Sequence, residues 1–421
     1  MIMGSVDALN ASRSNRRTLV EHCNRRASKL SDCGIVYFGG GWFVGNSTSG
    51  HHIVDRLVDR FPLLYVEVPG RRRPSVNGKD FAKIGRTVCQ SLQPPRRLQS
   101  NKRHEMWLST VPQLPFRSLP VVPWLNRCFG TAAVRKAIRD VGFKDFILWF
   151  DQPHPGFLAG HLGERFTVYH CIDDYAAFPD ADREALTRMD ASLTEVADQV
   201  FVAPPSLLRE KQRLNATAVY APHGVDVDLF ARASDPATPV PDAAAGLKHP
   251  VIGFFGMLGA WIDVALMERI ARSHPEWTLL IVGPVATDVS SLKALPNVVF
   301  AGPQPYAELP RWAKAFDVAI IPYLRNQQVM NANPLKLREY LATGKPIVSV
   351  SNPEIDRFAH CIGVAHGADD FVAKIEIALT EDTPARSKQR REAVMNMSWE
   401  ARVDKILATV EKSFRLKART A

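Results

Sequence analysis

The sequence predicts an α/β protein with two parallel-sheet domains, and three observations carry this expectation. Short β-branched and aromatic runs alternate with amphipathic helical patterns from residue 34 onward, which is typical of doubly wound parallel sheets. The alternation restarts after the Pro- and Ala-rich segment 233–250, interpreted as a flexible loop, and the chain of 421 residues is long enough for two cores. A final helical pattern follows the second unit.

The first unit opens with a predicted strand that runs directly into the triplet Gly39-Gly40-Gly41. A helix with His52 and Leu57 on its inner side and a second strand complete a βαβ unit. The predicted strands are 34–38, 63–68, 146–150, 166–170 and 199–202, and the predicted helices between them include 131–140 and 182–197.

The second unit repeats this alternation, and a C-terminal helix over 399–416 carries apolar residues at helical spacing. The predicted strands are 251–256, 278–282, 298–300, 318–322 and 347–350. We therefore divide the chain into a polar N-terminus, two domains and a terminal helix, with the bounds 1–30, 31–215, 216–395 and 396–421.

The composition is that of an ordinary globular protein, with 46% hydrophobic and 23% charged residues. No apolar run has the length of a signal peptide or a membrane span, so we expect a cytoplasmic protein, soluble or peripheral at the inner face of the plasma membrane. The six cysteines show no C-x-x-C spacing and predict neither a zinc site nor a disulfide framework.

Positive charge is concentrated in the first part of the chain. Residues 1–150 contain 24 Lys and Arg against 10 Asp and Glu, whereas the remainder contains 29 against 33. Such asymmetry indicates an anionic partner, either nucleic acid or an anionic membrane surface, or simply a solvated basic loop such as Arg71-Arg72-Arg73. No recognised nucleic-acid module accompanies the charge, so we expect no nucleic-acid partner.

The segment 333–346 is the most informative in the chain. Asn333 is a favoured N-cap, Pro334 suits the first helical position, and Gly344 is a usual helix end, so the sequence predicts a helix over 334–343. Lys336 in the first turn conflicts with the helix dipole unless a phosphate binds there. Glu339, one turn later, can hold a sugar diol; the alternative is a solvated salt bridge between the two side chains.

This segment resembles the nucleotide-binding signature of GT-B glycosyltransferases, especially family four and the teichuronic-acid-type and glucuronosyltransferase-like enzymes. The resemblance implies a GT-B fold whose terminal helix returns to the first domain. It also implies that Glu339 grips the nucleotide ribose and that Lys336 holds the diphosphate, with Asn333, Pro334 and Leu335 at the same donor site.

Carboxylates at strand ends supply candidates for a general base. Asp173 and Asp174 follow the predicted strand 166–170, where one of them can deprotonate an acceptor hydroxyl or, alternatively, cap the next helix. Asp173 is preferred because the resembled enzymes share the Y-x-x-x-D-D pattern. Asp151 follows another strand and is the second candidate.

Loops at the other strand ends complete the predicted site. His223-Gly224 resembles the Asn-Gly turn that opens the second domain of family-four enzymes, and Gly256 and Gly259 lie where a nucleotide-binding loop belongs. That loop lacks the family's Arg and Lys, which leaves Lys336 as the main phosphate ligand. Arg325 is predicted as a second cation that could bind phosphate. Gly40 and Gly41 form either a ligand loop or a structural turn, and their spacing does not match an NAD fingerprint.

The position eight residues before Glu339 holds Asn331, where family-four enzymes have a first Glu. An amide offers no negative charge to an oxocarbenium-like transition state. Both stereochemical outcomes therefore stay open: retention follows from the family comparison, and inversion fits an Asp base.

The sequence thus predicts a glycosyltransferase, expected to be metal-independent and without a cofactor, that moves a sugar from a nucleotide diphosphate sugar to a glycan or lipid-linked glycan in polysaccharide biosynthesis. Peripheral contact with an anionic membrane is expected. Two alternatives are a GT-B sugar-nucleotide epimerase, which forms product from the donor alone, and a nonenzymatic polyanion-binding protein. The sugar, the nucleotide, the acceptor and the oligomeric state do not follow from the sequence.

Overall fold

A computed structural model describes residues 29–43, 48–68, 90–91, 93–99, 101–112, 121–179 and 181–420. The basic run Arg71-Arg72-Arg73 and all but the last two residues of the predicted polar N-terminus lie outside these ranges. Among the described residues, no helix is both long and apolar enough to span a bilayer.

The first domain is built on an eight-stranded sheet. Its strands are β1 (Gly34–Gly39), β2 (Leu63–Glu67), β3 (Arg96–Leu98), β4 (Met106–Thr110), β5 (Phe146–Phe150), β6 (Phe166–Cys171), β7 (Gln199–Val202) and β8 (Val219–Tyr220). The strand order is β3-β4-β2-β1-β5-β6-β7-β8, and only the edge strand β3 is antiparallel to its neighbour. Its main helices are α1 (Ser49–Leu57), α2 (Val122–Asp140), α3 (Arg183–Val196) and α4 (Leu208–Leu214).

The second domain is built on a six-stranded parallel sheet. Its strands are β9 (Val251–Phe255), β10 (Thr278–Val282), β11 (Val298–Gly302), β12 (Val318–Ile321), β13 (Ile347–Val350) and β14 (Gly363–Ala365), in the order β11-β10-β9-β12-β13-β14. The helices are α5 (Val227–Ala231), α6 (Asp242–Ala245), α7 (Val264–Ser273), α8 (Ser290–Lys293), α9 (Leu309–Lys314), α10 (Gln327–Met330), α11 (Leu335–Thr343), α12 (Ala368–Glu381) and α13 (Pro384–Glu392).

Both sheets reverse their strand order beside their first strand. β1 lies between β2 and β5, and β9 lies between β10 and β12, with every pairing parallel. The central strands are buried along their whole length because helices cover both faces of each sheet. In such sheets a crevice opens at the carboxyl ends of the strands at this reversal, which places a ligand site there in each domain.

The terminal helix α14 (Trp399–Thr420) packs on the first domain. Trp399, Val403 and Phe414 are buried in the same apolar cluster as Ile53 and Leu57 of α1. The predicted architecture of two parallel-sheet domains with a returning C-terminal helix is therefore confirmed.

Some predicted bounds were wrong. Helix α2 begins nine residues earlier than predicted, and the segment 233–250 contains the short helix α6 rather than only a loop. Strands β3, β4, β8 and β14 were not predicted; β3, β8 and β14 have only two or three residues, which is too few to show a periodicity. Since β8 belongs to the first sheet, that sheet extends just past residue 215, and the division into domains stays a prediction.

Candidate functional site

A cleft of about 740 Å³ lies where the carboxyl ends of the two sheets meet. Its walls come from both domains, as expected for a site between two doubly wound sheets. The predicted site residues that line it are Gly40, Gly41, Asp151, Asp173, His223, Asn333, Pro334, Leu335 and Lys336.

Helix α11 forms the centre of the second-domain wall. It begins at Leu335, with Pro334 at its N-cap in an extended conformation, so the predicted start was one residue early. Its end at Gly344, which has φ +74°, agrees with the predicted glycine C-cap.

Asn333 does not cap this helix, which corrects the predicted role. Its side-chain amide instead donates a hydrogen bond to the carbonyl of Ala203, after β7, at 2.7 Å, and its oxygen accepts from Arg338 at 2.5 Å. Arg338 also pairs with Glu354, and both side chains are 1% exposed. The hydroxyl of Tyr220 in β8 donates to Glu354 at 2.6 Å, so a buried network joins α11 to the first domain.

Lys336 lies in the first turn of α11 and points toward the loop after β9. A Cβ atom at Gly256, which has φ +121°, would stand 2.4 Å from its Nζ atom, so glycine makes room for the ammonium group. In the described part of the chain no carboxylate lies within 4.0 Å of that group, and the alternative of a direct salt bridge with Glu339 is not formed. Burial lowers the pKa of Lys336, and the charge of Glu339 opposes the shift.

Glu339 lies one turn deeper and is only 8% exposed. Burial raises its pKa to about 7, while Lys336 and the Tyr306 hydroxyl act in the opposite direction and Asp226 adds to the rise. A half-buried cation and a buried carboxylate with no direct pairing between them at the start of a helix can hold a bound group that interacts with both.

The two adjacent carboxylates after β6 differ in their partners. Asp174 accepts a hydrogen bond from the side-chain amide of Asn331, in the second domain, at 2.7 Å. Asp173 accepts one from the backbone N–H of Asp174 at 2.9 Å, and its side chain lines the cleft whereas that of Asp174 does not. Both carboxylates also line a smaller neighbouring cavity of about 260 Å³.

Asp151 forms the floor of the cleft after β5. It is 2% exposed, and the Tyr37 hydroxyl donates to it at 3.3 Å. A Cβ atom at Gly50 would lie 2.5 Å from its carboxylate, so the start of α1 packs directly against it. Burial, followed by the charge of Asp151, raises the pKa of Tyr37.

Other predicted residues have packing roles or lie away from the cleft. A Cβ atom at Gly224 would stand 2.8 Å from the Trp399 backbone, and one at Gly259 would stand 2.4 Å from the Trp261 ring, so both glycines permit close packing. Arg325 is exposed, donates to the His366 carbonyl at 3.0 Å and does not line the cleft.

His223 does line the cleft. Burial lowers its pKa well below the ordinary value, with the charge of Arg338 adding to the shift.

Sequence reasoning missed several cleft residues, among them Tyr175, Trp261, Tyr323 and Gln328. Tyr175 and Tyr323 follow strands that were predicted, so their positions could have been inferred. Gln328 lies in a short helix whose sequence shows no apolar periodicity. The signal for a place in the cleft was its position three residues before Asn331.

Two D-x-D triplets, a pattern of paired carboxylates that can hold a divalent metal, occur at 180–182 and 226–228. The Asp182 side chain caps α3, and Asp226 pairs with Arg56 at 2.6 Å. Within the ranges that the structure covers, no group of three or more His, Cys, Asp or Glu side chains could hold a metal ion.

Comparison with known proteins agrees with this geometry. Residues 249–381 match the family described as glycosyl transferases group 1. The chain is 27% identical over 273 residues to a putative teichuronic acid biosynthesis glycosyltransferase, TuaH, of Bacillus subtilis, covering 60% of this chain and 68% of the relative.

Solved structures share the fold at low sequence identity. An E. coli trehalose-6-phosphate protein bound with UDP-2-fluoro glucose has a TM-score of 0.65 at 12% identity, covering 90% of this chain and 98% of that one. HepE of Anabaena in complex with UDP and glucose has a TM-score of 0.62 at 13% identity, covering 90% and 99%. A sucrose-phosphate synthase from Thermosynechococcus elongatus has a TM-score of 0.65 at 15% identity, covering 91% and 100%. The predicted GT-B fold and the predicted resemblance to glycosyltransferases are confirmed.

Proposed function

We propose that this chain, a GT-B glycosyltransferase with a group 1 domain over residues 249–381, moves a sugar from a nucleoside diphosphate sugar to a glycan or lipid-linked glycan in polysaccharide assembly. One observation carries the proposal. Lys336 stands without an ion-pair partner among the described residues at the start of α11, in a two-domain cleft that Asp173 also lines.

In this proposal the second domain binds the donor. The diphosphate lies at the N-terminus of α11, where backbone N–H groups, the helix dipole and Lys336 all favour negative charge. The Glu339 carboxylate accepts hydrogen bonds from the ribose hydroxyls. Negative charge on the diphosphate offsets the partial desolvation of the Lys336 ammonium, which has no carboxylate within 4.0 Å among the residues that the structure describes.

The first domain supplies the base. Asp173 takes the proton of an acceptor hydroxyl as the acceptor oxygen bonds to C1 of the sugar, and the bond from C1 to the diphosphate oxygen breaks. The nucleoside diphosphate leaves with its new charge beside Lys336. The buried floor around Asp151 limits water at this point, and water would otherwise hydrolyse the donor.

The acceptor class rests on two observations. The relative from Bacillus subtilis is named for teichuronic acid biosynthesis. The first 150 residues carry 24 Lys and Arg against 10 Asp and Glu, which suits peripheral contact with an anionic membrane that holds a lipid-linked acceptor. Localisation at the cytoplasmic membrane face follows from this proposal.

A transfer assay tests the proposal. Purified protein is incubated with labelled UDP- and GDP-sugars, with and without a bacterial lipid-linked glycan extract. We expect label in the glycan fraction only when acceptor is present, and an unchanged rate in EDTA if leaving-group charge is neutralised by Lys336 without a metal. Conversion of the donor alone would favour the epimerase alternative, and binding to polyanions without any turnover of donor would favour the nonenzymatic one.

A further inference from the structure

Gln328 is a buried amide in the cleft that forms no hydrogen bond within the described structure. The side chain is 7% exposed, and its Oε1 atom is buried without a partner. An amide oxygen left unsatisfied in this way is destabilising in proteins generally, so such groups are usually matched by a ligand or water. Gln328 nevertheless lines the same cleft as Lys336 and Asp173.

Helix α10 holds this amide in a fixed place. The side chain of Asn326 caps the helix by accepting from the Val329 N–H at 3.0 Å. On either side of Gln328 the helix reaches the first domain: Arg183 donates to Gln327, and Asn331 donates to Asp174 at 2.7 Å. These two interdomain contacts leave Gln328 directed into the cleft between them.

The proposed chemistry fixes what occupies this part of the cleft. The diphosphate lies at Lys336, and the nucleoside lies on the side of Glu339, which is buried one turn further along α11 and does not line the cleft. The sugar must extend the other way, because its C1 atom has to meet a hydroxyl activated by Asp173. Helix α10 borders the space between Lys336 and Asp173, because Asn331, which follows α10 directly, donates a hydrogen bond to Asp174, the neighbour of Asp173.

We infer that Gln328 forms hydrogen bonds with hydroxyl groups of the transferred sugar, accepting from one through Oε1 and donating to another through Nε2. An amide offers both a donor and an acceptor, which matches the paired functions of adjacent sugar hydroxyls. A site built to hydrogen-bond a hydroxyl discriminates strongly against a sugar that lacks it, because the amide is then left unpaired. Gln328 is thus a specificity-determining residue, and this inference rests on the proposed donor site.

The test compares binding of a nucleoside diphosphate with binding of the matching nucleotide sugar. Calorimetry is run with UDP, GDP and their glucose, galactose and mannose derivatives on the wild type, Gln328→Leu and Met330→Leu. Met330 lies on the same helix as Gln328 but is 36% exposed and does not line the cleft, which makes it the matched control. A Gln328→Glu variant keeps the acceptor and loses the donor.

For the nucleotide sugar that the wild type prefers, we expect Gln328→Leu to weaken binding by about tenfold, the effect of one lost hydrogen bond to a buried polar group, while affinity for the free nucleotide stays within about twofold. Met330→Leu should change neither. Equal losses for nucleotide and nucleotide sugar would overturn the inference, because they would indicate a structural role, and so would no loss for either. Failure of the wild type to bind any nucleotide would instead overturn the proposed function itself.

Discussion

The two walls of the cleft are built in different ways. The second-domain wall is a helix start, where Lys336 lines the cleft and Glu339 lies buried one turn further along the same helix. The first-domain wall is a set of strand ends, where two of the three carboxylates have hydrogen-bond partners far away in sequence: Asn331 donates to Asp174, and Tyr37 donates to Asp151. The comparison teaches that a local sequence pattern can identify the donor wall, whereas the chemistry of the other wall is decided by the fold.

The sharpest way to test this contrast is to neutralise the two adjacent carboxylates separately. Asp173→Asn should lower kcat by about 10²–10⁴-fold, because it removes the proposed general base, and should leave the Kd for nucleotide unchanged. Steady-state kinetics and calorimetry measure the two effects.

Asp174→Asn is the matched control for this substitution, since Asp174 is tied to Asn331 and does not line the cleft. We expect it to retain most of the kcat. A fully active Asp173→Asn enzyme beside an inactive Asp174→Asn enzyme would reverse the assignment of the base.

The network that joins the walls can be broken at Arg338. Arg338→Met leaves the Glu354 carboxylate, which is 1% exposed, with Arg357 at 4.0 Å as its nearest remaining cation among the described residues, so the free energy of unfolding should fall by about 3–5 kcal/mol. Urea unfolding followed by tryptophan fluorescence measures it. The double variant Arg338→Met with Glu354→Leu removes both charges and should recover much of the loss, whereas a single-variant loss below about 1 kcal/mol would contradict a buried, fully paired ion pair.

The donor wall should respond to pH near neutrality. The pKa of Glu339 is raised to about 7, so a proton competes with the ribose hydroxyls for its carboxylate below that pH. Affinity for a nucleotide sugar should weaken by about tenfold from pH 8 to pH 6, as expected if only the ionised form binds. The same measurement on Glu339→Gln should give a flat profile, and a steep profile in that variant would assign the titration to another group.

The same pKa shift has a consequence for stability. The folded-state pKa lies above the unfolded value, so the folded state binds this proton more tightly, and the contribution of Glu339 to stability falls as pH rises from the unfolded pKa of 4.5 to about 7. Substrate-free Glu339→Gln should therefore lose less stability than the wild type over this interval, which thermal unfolding at several pH values measures.

The smallest effect concerns the contact between the walls. Asn331→Ala removes one hydrogen bond to Asp174 and should reduce the free energy of unfolding by about 0.5–1.5 kcal/mol. Urea unfolding checks this value. A loss comparable to that of Arg338→Met would show that this contact, and not the buried network, holds the domains together.

Much of the fold could be predicted because parallel strands buried on both faces read as apolar runs, as in Phe146–Phe150 and Thr278–Val282, whose bounds agree with the sequence prediction. The end of helix α11 at Gly344 could also be predicted, because a glycine C-cap is a local feature of the sequence. The role of Asn333 could not be predicted, because its partner Ala203 lies 130 residues away and outcompetes the local cap. The burial of Glu339 and the unpaired state of Gln328 also depend on packing between distant elements, which periodicity does not reveal.

The most direct test of the donor site is calorimetric binding of UDP, GDP, ADP and NAD to the wild type and to Glu339→Ala. We predict that one nucleoside diphosphate binds selectively, that NAD does not bind, and that Glu339→Ala loses affinity by about tenfold or more because a charged hydrogen-bond acceptor is removed. Equal binding of that nucleotide by Glu339→Ala, or no binding of any nucleotide by the wild type, would contradict a donor site at the start of α11.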